Sequence, residues 1–199
     1  MSYKYIAIER EYGSGGTKIA RRLAEECGIS CYGQEILEAV SKRLDISVEK
    51  IEKYEETVTN SFMYTLHMLS RAQEGNADMM TNDGHIFVAE QQEIKHLAAA
   101  GSAVFIGHCA TEALKDFKVY KVFIRCSDEE EKKKRIAKDY GIQKDKIEST
   151  RKRYDNKRAR YYFANTAAKW EDLKNYDIVL DSAKLGIDGC VQVLKSLLV

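Results

Sequence analysis

The stretch REYGSGGTKIARRLA, residues 10–24, holds glycines, a hydroxyl and basic side chains in the order a phosphate-binding loop uses. Glycines let backbone N–H groups approach phosphate oxygens closely, and the start of a following helix adds a dipole that favours negative charge. A P-loop reads G-x-x-x-x-G-K-S/T. In the best register Arg10 stands at the first glycine, Gly15 at the second, Gly16 at the lysine and Thr17 at the hydroxyl. Lys18 is the nearest lysine, but it lies about 100° further round the helix than Thr17. Two readings follow: a nucleotide site in which Arg10 turns in to replace the lysine, or a plain left-handed turn rich in glycine.

A second cluster is RKRYDNKRAR, residues 151–160. On a helix, Arg151, Asp155 and Arg158 share one face, being spaced four and three apart. Guanidinium groups suit bidentate phosphate contacts and the charge of phosphoryl transfer. The same run also reads as a solvated basic face, or as a nucleic-acid contact. A formal net charge of +1 argues against the last of these.

The third is VFIGHCATEAL, where an apolar run ends at Gly107 and His108. A residue just past the carboxyl end of a strand is well placed to touch substrate; the alternative is a structural histidine. Glu35, in YGQEILEAV, is either an exposed helix carboxylate or a group facing substrate. His67, His85 and His96 show no metal-like pairing, and Trp170 reads as an aromatic anchor holding a loop on the core. The five cysteines, at 27, 31, 109, 126 and 190, form no C-x-x-C pair. They are expected as buried small hydrophobes in a reducing, cytoplasmic setting.

The elements that must position these groups alternate. YIAIE predicts a buried strand and residues 17–27 an amphipathic helix stopped by Gly28. GQEILEAVSKRL and SVEKIEKYEE have helical spacing, with Ser47 as N-cap of the second. SFMYTLHMLSRAQ continues in that manner, and EGNADMMTNDGH predicts a mobile loop. HIFVAEQQEIKHLAAAG predicts a helix ended by Gly101, then AVFIG a strand buried on both faces. VYKVFIRC is another strand, followed by the helix SDEEEKKKRIAKDYG with Ser127 as cap. YDIVLDS and GIDGCVQVLKSLL supply the last strand and helix. This is the pattern of a doubly wound parallel α/β sheet. With 199 residues the chain is expected to be a single domain. A helical lobe over 34–83 separates the first two strands, and an arginine-rich lid covers 146–169. No apolar run reaches the length of a membrane span, and no h-region of a secretory signal is present.

Taken together the three motifs resemble the nucleoside monophosphate kinases, a P-loop family. REYGSGGTKIARRLA can be laid without a gap on G-P-S-G-A-G-K-G-T-V-A-R-x-L-A, and RKRYDNKR matches the lid pattern R-x-R-x-D-x-x-R at Arg151, Arg153, Asp155 and Arg158. VFIGHCATEAL lies over the family's strand ending in G-R-D, and YDIVLDSAKL resembles the strand and D-S/T beyond the lid. The likeness is closer still to the cytidylate kinase-like branch, which also reads R-x-Y-G-S-G-G, then K-R-A-x-Y-Y and a Trp ahead of N-Y-D. The resemblance implies transfer of the ATP γ-phosphate to a nucleoside monophosphate or similar small acceptor, with Mg²⁺, and a nucleotide or other small phosphorylated ligand as partner. Gly13, Ser14, Gly15 and Gly16 would then wrap the donor phosphates, with Lys18 beside them, and Thr17 would offer its hydroxyl to Mg²⁺. Arg151, Arg153 and Arg158 would close over both phosphate groups and exclude water. Asp155 would orient an arginine or contact the acceptor. The departures fall on the cations: Gly16 replaces the lysine, and His108 and Cys109 replace the arginine and aspartate of G-R-D. The alternative to turnover is a nucleotide- or anion-binding module on the same fold. Neither nucleic acid nor membrane is an expected partner.

Overall fold

β1 (Tyr5–Arg10) owes its central place to an unbroken apolar run, since Ile6, Ala7 and Ile8 are each fully buried. A computed structural model describes residues 3–58 and 82–198. After β1 come α1 (Gly16–Cys27), β2 (Ser30–Tyr32), α2 (Gln34–Leu44), α3 (Val48–Val58) and α4 (Asn82–Ala99). β3 (Ala103–Ile106), α5 (Ala110–Ala113), β4 (Val119–Arg125), α6 (Glu129–Tyr140), α7 (Ile147–Thr166), β5 (Ile178–Asp181) and α8 (Ser182–Lys195) complete the described chain. The strands pair in the order β2-β3-β1-β4-β5, and every pairing is parallel.

Helices cover both faces of this sheet. Ile6 and Ile8 meet Ile19 and Leu23 of α1 and Val191 and Leu194 of α8 on one side. On the other side Ala7 and Phe105 meet Ile36, Ile94 and Leu114. Each large aliphatic side chain so buried contributes about 1.5–3 kcal/mol. A third cluster, built on Leu37, Val40, Ile51, Ile86 and Ala89, joins α2, α3 and α4.

α1 ends as its composition predicts, with Gly28 at φ 63° and its N–H turned back on Ala24 and Glu25. Several boundaries differ from expectation. β2 was not anticipated, because SCY is short and only half buried. It follows α1 directly, so the helical stretch beyond residue 34 separates β2 from β3 rather than the first two strands. Asp128, not Ser127, caps α6; its carboxylate accepts from the Glu130 and Glu131 amides at 3.0 Å each. A carboxylate at that point also gains from the helix dipole, which a hydroxyl does not. The amide of Ser127 instead donates to Asp181 at 3.0 Å. α4 begins at Asn82, so residues 82–85 are helical where Asn-Asp-Gly suggests a loop. The helix expected over SFMYTLHMLSRAQ, with His67, and the rest of the expected loop lie outside the described residues.

α7 holds the basic cluster on one unbroken helix of 20 residues. Its second half is anchored: Tyr161 and Tyr162 are buried with Phe123, Trp170, Tyr176 and Cys109. Trp170 is the anchor expected, 2% exposed and edge-on to Phe123 at 5.1 Å.

Candidate active site

The loop between β1 and α1 is held from below. Gly13 and Gly15 have φ of 81° and 79°, a region that side-chain-bearing residues enter at a cost. Ser14 is fully buried. Its hydroxyl donates to the Glu11 carbonyl at 2.8 Å and accepts from the Gly16 amide at 3.3 Å. Its carbonyl accepts from Ser182 Oγ at 2.7 Å and Arg135 Nη1 at 2.9 Å. The Glu11 carboxylate accepts from the Cys126 amide at 2.9 Å and pairs with Lys132 at 3.1 Å. Lys132 is 3% exposed; burial opposes its charge, but Glu11 and Glu129 outweigh that and leave its pKa raised. With the loop so fixed, the amides of Gly13, Gly15, Thr17 and Lys18 donate to no acceptor among the described residues. Unsatisfied amides converging at a helix start form a donor set for an anion. Thr17 is half-buried beside them, whereas Lys18 is exposed on the outer side of α1.

Arg10 leaves the end of β1 and runs across Gly16. A Cβ on Gly16 would lie 2.6 Å from Arg10 Cβ and 2.9 Å from its Cγ. Further out, Arg10 Nη1 fills the space that a Cβ on Gly107 would need. The guanidinium therefore stands beyond the carboxyl end of β3. There it enters a cavity of about 170 Å³ with Glu9, His108, Lys157, Arg158 and the rings of Tyr154, Tyr161 and Tyr162 in its walls.

The floor of this cavity on the β3 side is a left-handed turn. Gly107, His108 and Cys109 have φ of 71°, 53° and 52°, a conformation that costs a non-glycine residue about 1–3 kcal/mol. The Ala110 amide to the Gly107 carbonyl, 3.0 Å, and Gln91 Nε2 to the His108 carbonyl, 3.1 Å, hold it.

α7 closes the cavity and touches the loop directly. Asp155 Oδ1 accepts from the Tyr12 amide at 2.7 Å, and Arg158 Nη1 donates to the Arg10 carbonyl at 2.9 Å. The Tyr12 ring stacks between Tyr140 and Tyr154, with centroids 4.7 and 4.6 Å away. Burial pushes the Asp155 carboxyl up to about 6, although the Tyr12 amide and Arg158 pull the other way. Arg151, three-quarters or more buried, is bound to Glu148 at 2.7 Å and lies 3.9 Å from Asp155. Arg153 points outward and covers the Tyr154 ring, 5.1 Å from its centroid.

Of the residues singled out in the sequence, Arg10, His108 and Arg158 share the cavity, and Asp155 and Arg151 stand on the adjoining face of α7. Gly13, Ser14, Gly15, Gly16 and Thr17 form the loop beside it. Glu35 lies outside the cavity wall, paired with Arg21 at 3.1 Å and accepting from the Gly33 amide at 2.8 Å. Sequence reasoning missed Glu9, which is 4% exposed. Trp170 Nε1 donates to its Oε2 at 3.1 Å. Burial pushes the Glu9 carboxyl up, against Arg10, the Trp170 bond, Arg158 and His108. The one available signal was an acid closing an otherwise apolar central strand. Tyr12, Tyr154 and Lys157 lie inside the quoted motifs but were given no role there, and Arg135 has no motif to mark it.

An all-parallel five-stranded sheet with a glycine loop between its central strand and the first helix is the P-loop kinase fold. Within it the chain belongs to the cytidylate kinase-like family, whose sequence profile matches residues 5–184. The chain is similar to a crystal structure of an uncharacterized protein from Eubacterium ventriosum, with 25% identity over 96% of each chain and a TM-score of 0.69. It shares its fold with shikimate kinase from Bacteroides thetaiotaomicron, at 14% identity, 97% of each chain and a TM-score of 0.52. Shikimate kinase from Acinetobacter baumannii, solved in complex with shikimate, matches at 14% identity and a TM-score of 0.50, over 98% of this chain and 94% of that one. A search of curated protein sequences returns no match. Family and fold are thus of kinase type. Among the described residues no helix is long and apolar enough to cross a membrane.

Proposed function

We propose that the protein is an ATP-dependent phosphotransferase that moves the γ-phosphoryl group to a small acceptor seated between the ends of β1 and β3 and the helix α7. The nucleoside monophosphate of the family's name is one candidate acceptor to be tested. The observation that carries this reading is the convergence of Arg10 and Arg158 on a cavity beside the unsatisfied loop amides.

The residues present fit a magnesium nucleotide. The amides of Gly13, Gly15, Thr17 and Lys18 suit donor phosphate oxygens, and the Gly16 amide stays on Ser14. Among the described residues no cluster of His, Cys, Asp and Glu could cage a metal. Mg²⁺ would therefore be held by the Thr17 hydroxyl together with phosphate and water oxygens, as its chemistry prefers. ATP supplies the transferable phosphoryl group and the leaving diphosphate. Arg10 and Arg158 neutralise charge on that group from the cavity wall they share, which is where such catalysis gains most. Arg151 and Asp155 hold Arg158 and the loop in register, Arg153 steadies the Tyr154 ring, and α7 keeps water out. His108 faces the acceptor side; Glu35, paired with Arg21, has a place only at the outer margin.

The test is phosphorus NMR of the protein with Mg-ATP and a set of acceptors. Consumption of ATP with appearance of ADP and one phosphorylated acceptor is the expected result. ATP bound and intact with every acceptor would make the chain a nucleotide-binding module instead.

A further inference from the structure

We infer that Glu9 is the proton acceptor for a hydroxyl group of the substrate, so that the phosphoryl acceptor is a small alcohol rather than a phosphate. The inference rests on the phosphotransferase reading above and names its acceptor class.

Glu9 occupies a position in the central strand where its predecessors are Ile6, Ala7 and Ile8. A carboxylate there is costly to bury; Trp170 Nε1 donates to its Oε2 at 3.1 Å, and Arg10, Arg158 and His108 favour its charged form. The second oxygen, Oε1, accepts no hydrogen bond from a described residue. Glu9 lies in the wall of the same cavity as Arg10, His108 and Arg158. The reacting group and this carboxylate therefore share one small space.

The two acceptor chemistries make opposite demands on such a group. A phosphate acceptor attacks through an oxygen already ionised, so there is no proton to remove, and a second anion beside it opposes its approach. An alcohol must lose its proton as its oxygen bonds to phosphorus, and a carboxylate within hydrogen-bond reach takes it. Burial raises the Glu9 carboxyl above the ordinary carboxylate range, against the pull of Arg10, the Trp170 bond, Arg158 and His108. In the step, the acceptor O–H bond breaks and its proton passes to Glu9 Oε1. The acceptor oxygen bonds to the γ-phosphorus as the bond from that phosphorus to the β,γ-bridging oxygen breaks, the electron pair leaving on ADP. Glu9 returns the proton to solvent as the ester departs.

Glu9→Gln is the informative variant, because the glutamine oxygen can still accept from Trp170. The groups facing Glu9 are Arg10 on its own strand, His108 after β3, Arg158 and Tyr162 on α7, and Tyr176 ahead of β5. The probes are Mg-ATP alone, with water as the hydroxyl acceptor, and Mg-ATP with cytidine, shikimate, D-glycerate or CMP. Phosphorus NMR separates a new phosphate ester or free phosphate from a new diphosphate. The expected product is an ester or free phosphate, with kcat about 10²–10⁴-fold lower in Glu9→Gln and KM little changed. A second readout needs no nucleotide. Trp170 is the only tryptophan of the chain, and its emission should titrate with the neighbouring carboxyl in the wild type above the ordinary carboxylate range. That transition should vanish in Glu9→Gln, while any contribution from His108 persists in both. Trp170→Phe, which removes a hydrogen bond that favours the ionised carboxylate, should shift the acid limb of kcat upward in pH. Conversion of CMP to its diphosphate at an unchanged rate in Glu9→Gln overturns the inference and leaves the phosphotransferase standing. ATP unchanged with every probe, water included, overturns both.

Discussion

Gly16 and Arg10 exclude one another's side chains: a Cβ on the glycine would lie 2.6 Å from the Cβ of the arginine. A side chain at position 16 and the present course of Arg10 are therefore incompatible. A lysine at 16 would have to start from the space that Arg10 occupies.

This relationship predicts a change of sign. Gly16→Ala should destabilise the protein by about 1–3 kcal/mol, the usual cost of overpacking. In an Arg10→Gly background the clash is gone and the better helix former remains, so the same change should be neutral or stabilising by up to about 1 kcal/mol. Urea denaturation of the four proteins gives the coupling directly. Equal effects in both backgrounds would mean that the two side chains do not compete.

If Arg10 stands in for the lysine, Arg10→Ala should lower kcat by about 10²–10³-fold, the loss seen when one donor to a reacting oxyanion is removed. Lys18→Ala should change it by no more than about threefold, since that side chain is exposed on the far side of α1. ADP release measured with the best acceptor compares them, and an active Arg10→Ala protein would assign the cation role to Arg158 alone.

Asp155 gives a pH prediction. Its carboxyl is raised by burial from an ordinary 3.8 to about 6 in the folded protein. The folded state thus holds its proton to higher pH than the unfolded chain, and this group's contribution to stability falls as pH rises from about 4 to 6. Asp155→Asn keeps an acceptor for the Tyr12 amide without the charge. It should be more stable than the wild type at pH 8, by roughly 3 kcal/mol at most, and equal to it near pH 4. Thermal melting at the two pH values tests this; a wild type that gains stability between them would reverse the assignment.

Tyr12 carries the loop's packing as well as its shape. Tyr12→Ala removes the middle ring of the Tyr140–Tyr12–Tyr154 stack and should cost about 3–5 kcal/mol, whereas Tyr12→Phe should cost less than about 1 kcal/mol. Nucleotide affinity measured on both shows whether the stack also orders the phosphate loop. An alanine variant as stable as the wild type would mean that Asp155 and Arg158 alone hold α7 on the loop.

The succession of strand, glycine turn and helix was legible because each part has its own local signature: the run YIAIE, the GSGG turn and the period of ARRLAEE. So was the shared face of Arg151, Asp155 and Arg158, which follows from helical spacing. β2 was not, because three half-exposed residues carry no periodicity. Nor was the choice of Asp128 over Ser127, where both residues can cap and tertiary contacts with Asp181 decided. The direction of Arg10 depends on empty space at Gly16 and Gly107, residues six and ninety-seven positions away, and no spacing rule reports a void. Glu9 was hidden for a similar reason. Its meaning comes from Trp170, far along the chain, and from a cavity that exists only once β3 and α7 have met.

The single helix α7 also sets how the loop can be released. Its C-terminal turns are fastened beneath Trp170 and Tyr176, while its middle carries both Asp155 on the Tyr12 amide and Arg158 on the Arg10 carbonyl. Twenty residues of helix form a rod about 30 Å long, packed in an aromatic cluster toward one end. Any swing that lifts one of these contacts lifts the other. The glycine loop and the end of β1 thus hang on one element rather than on two independent ones.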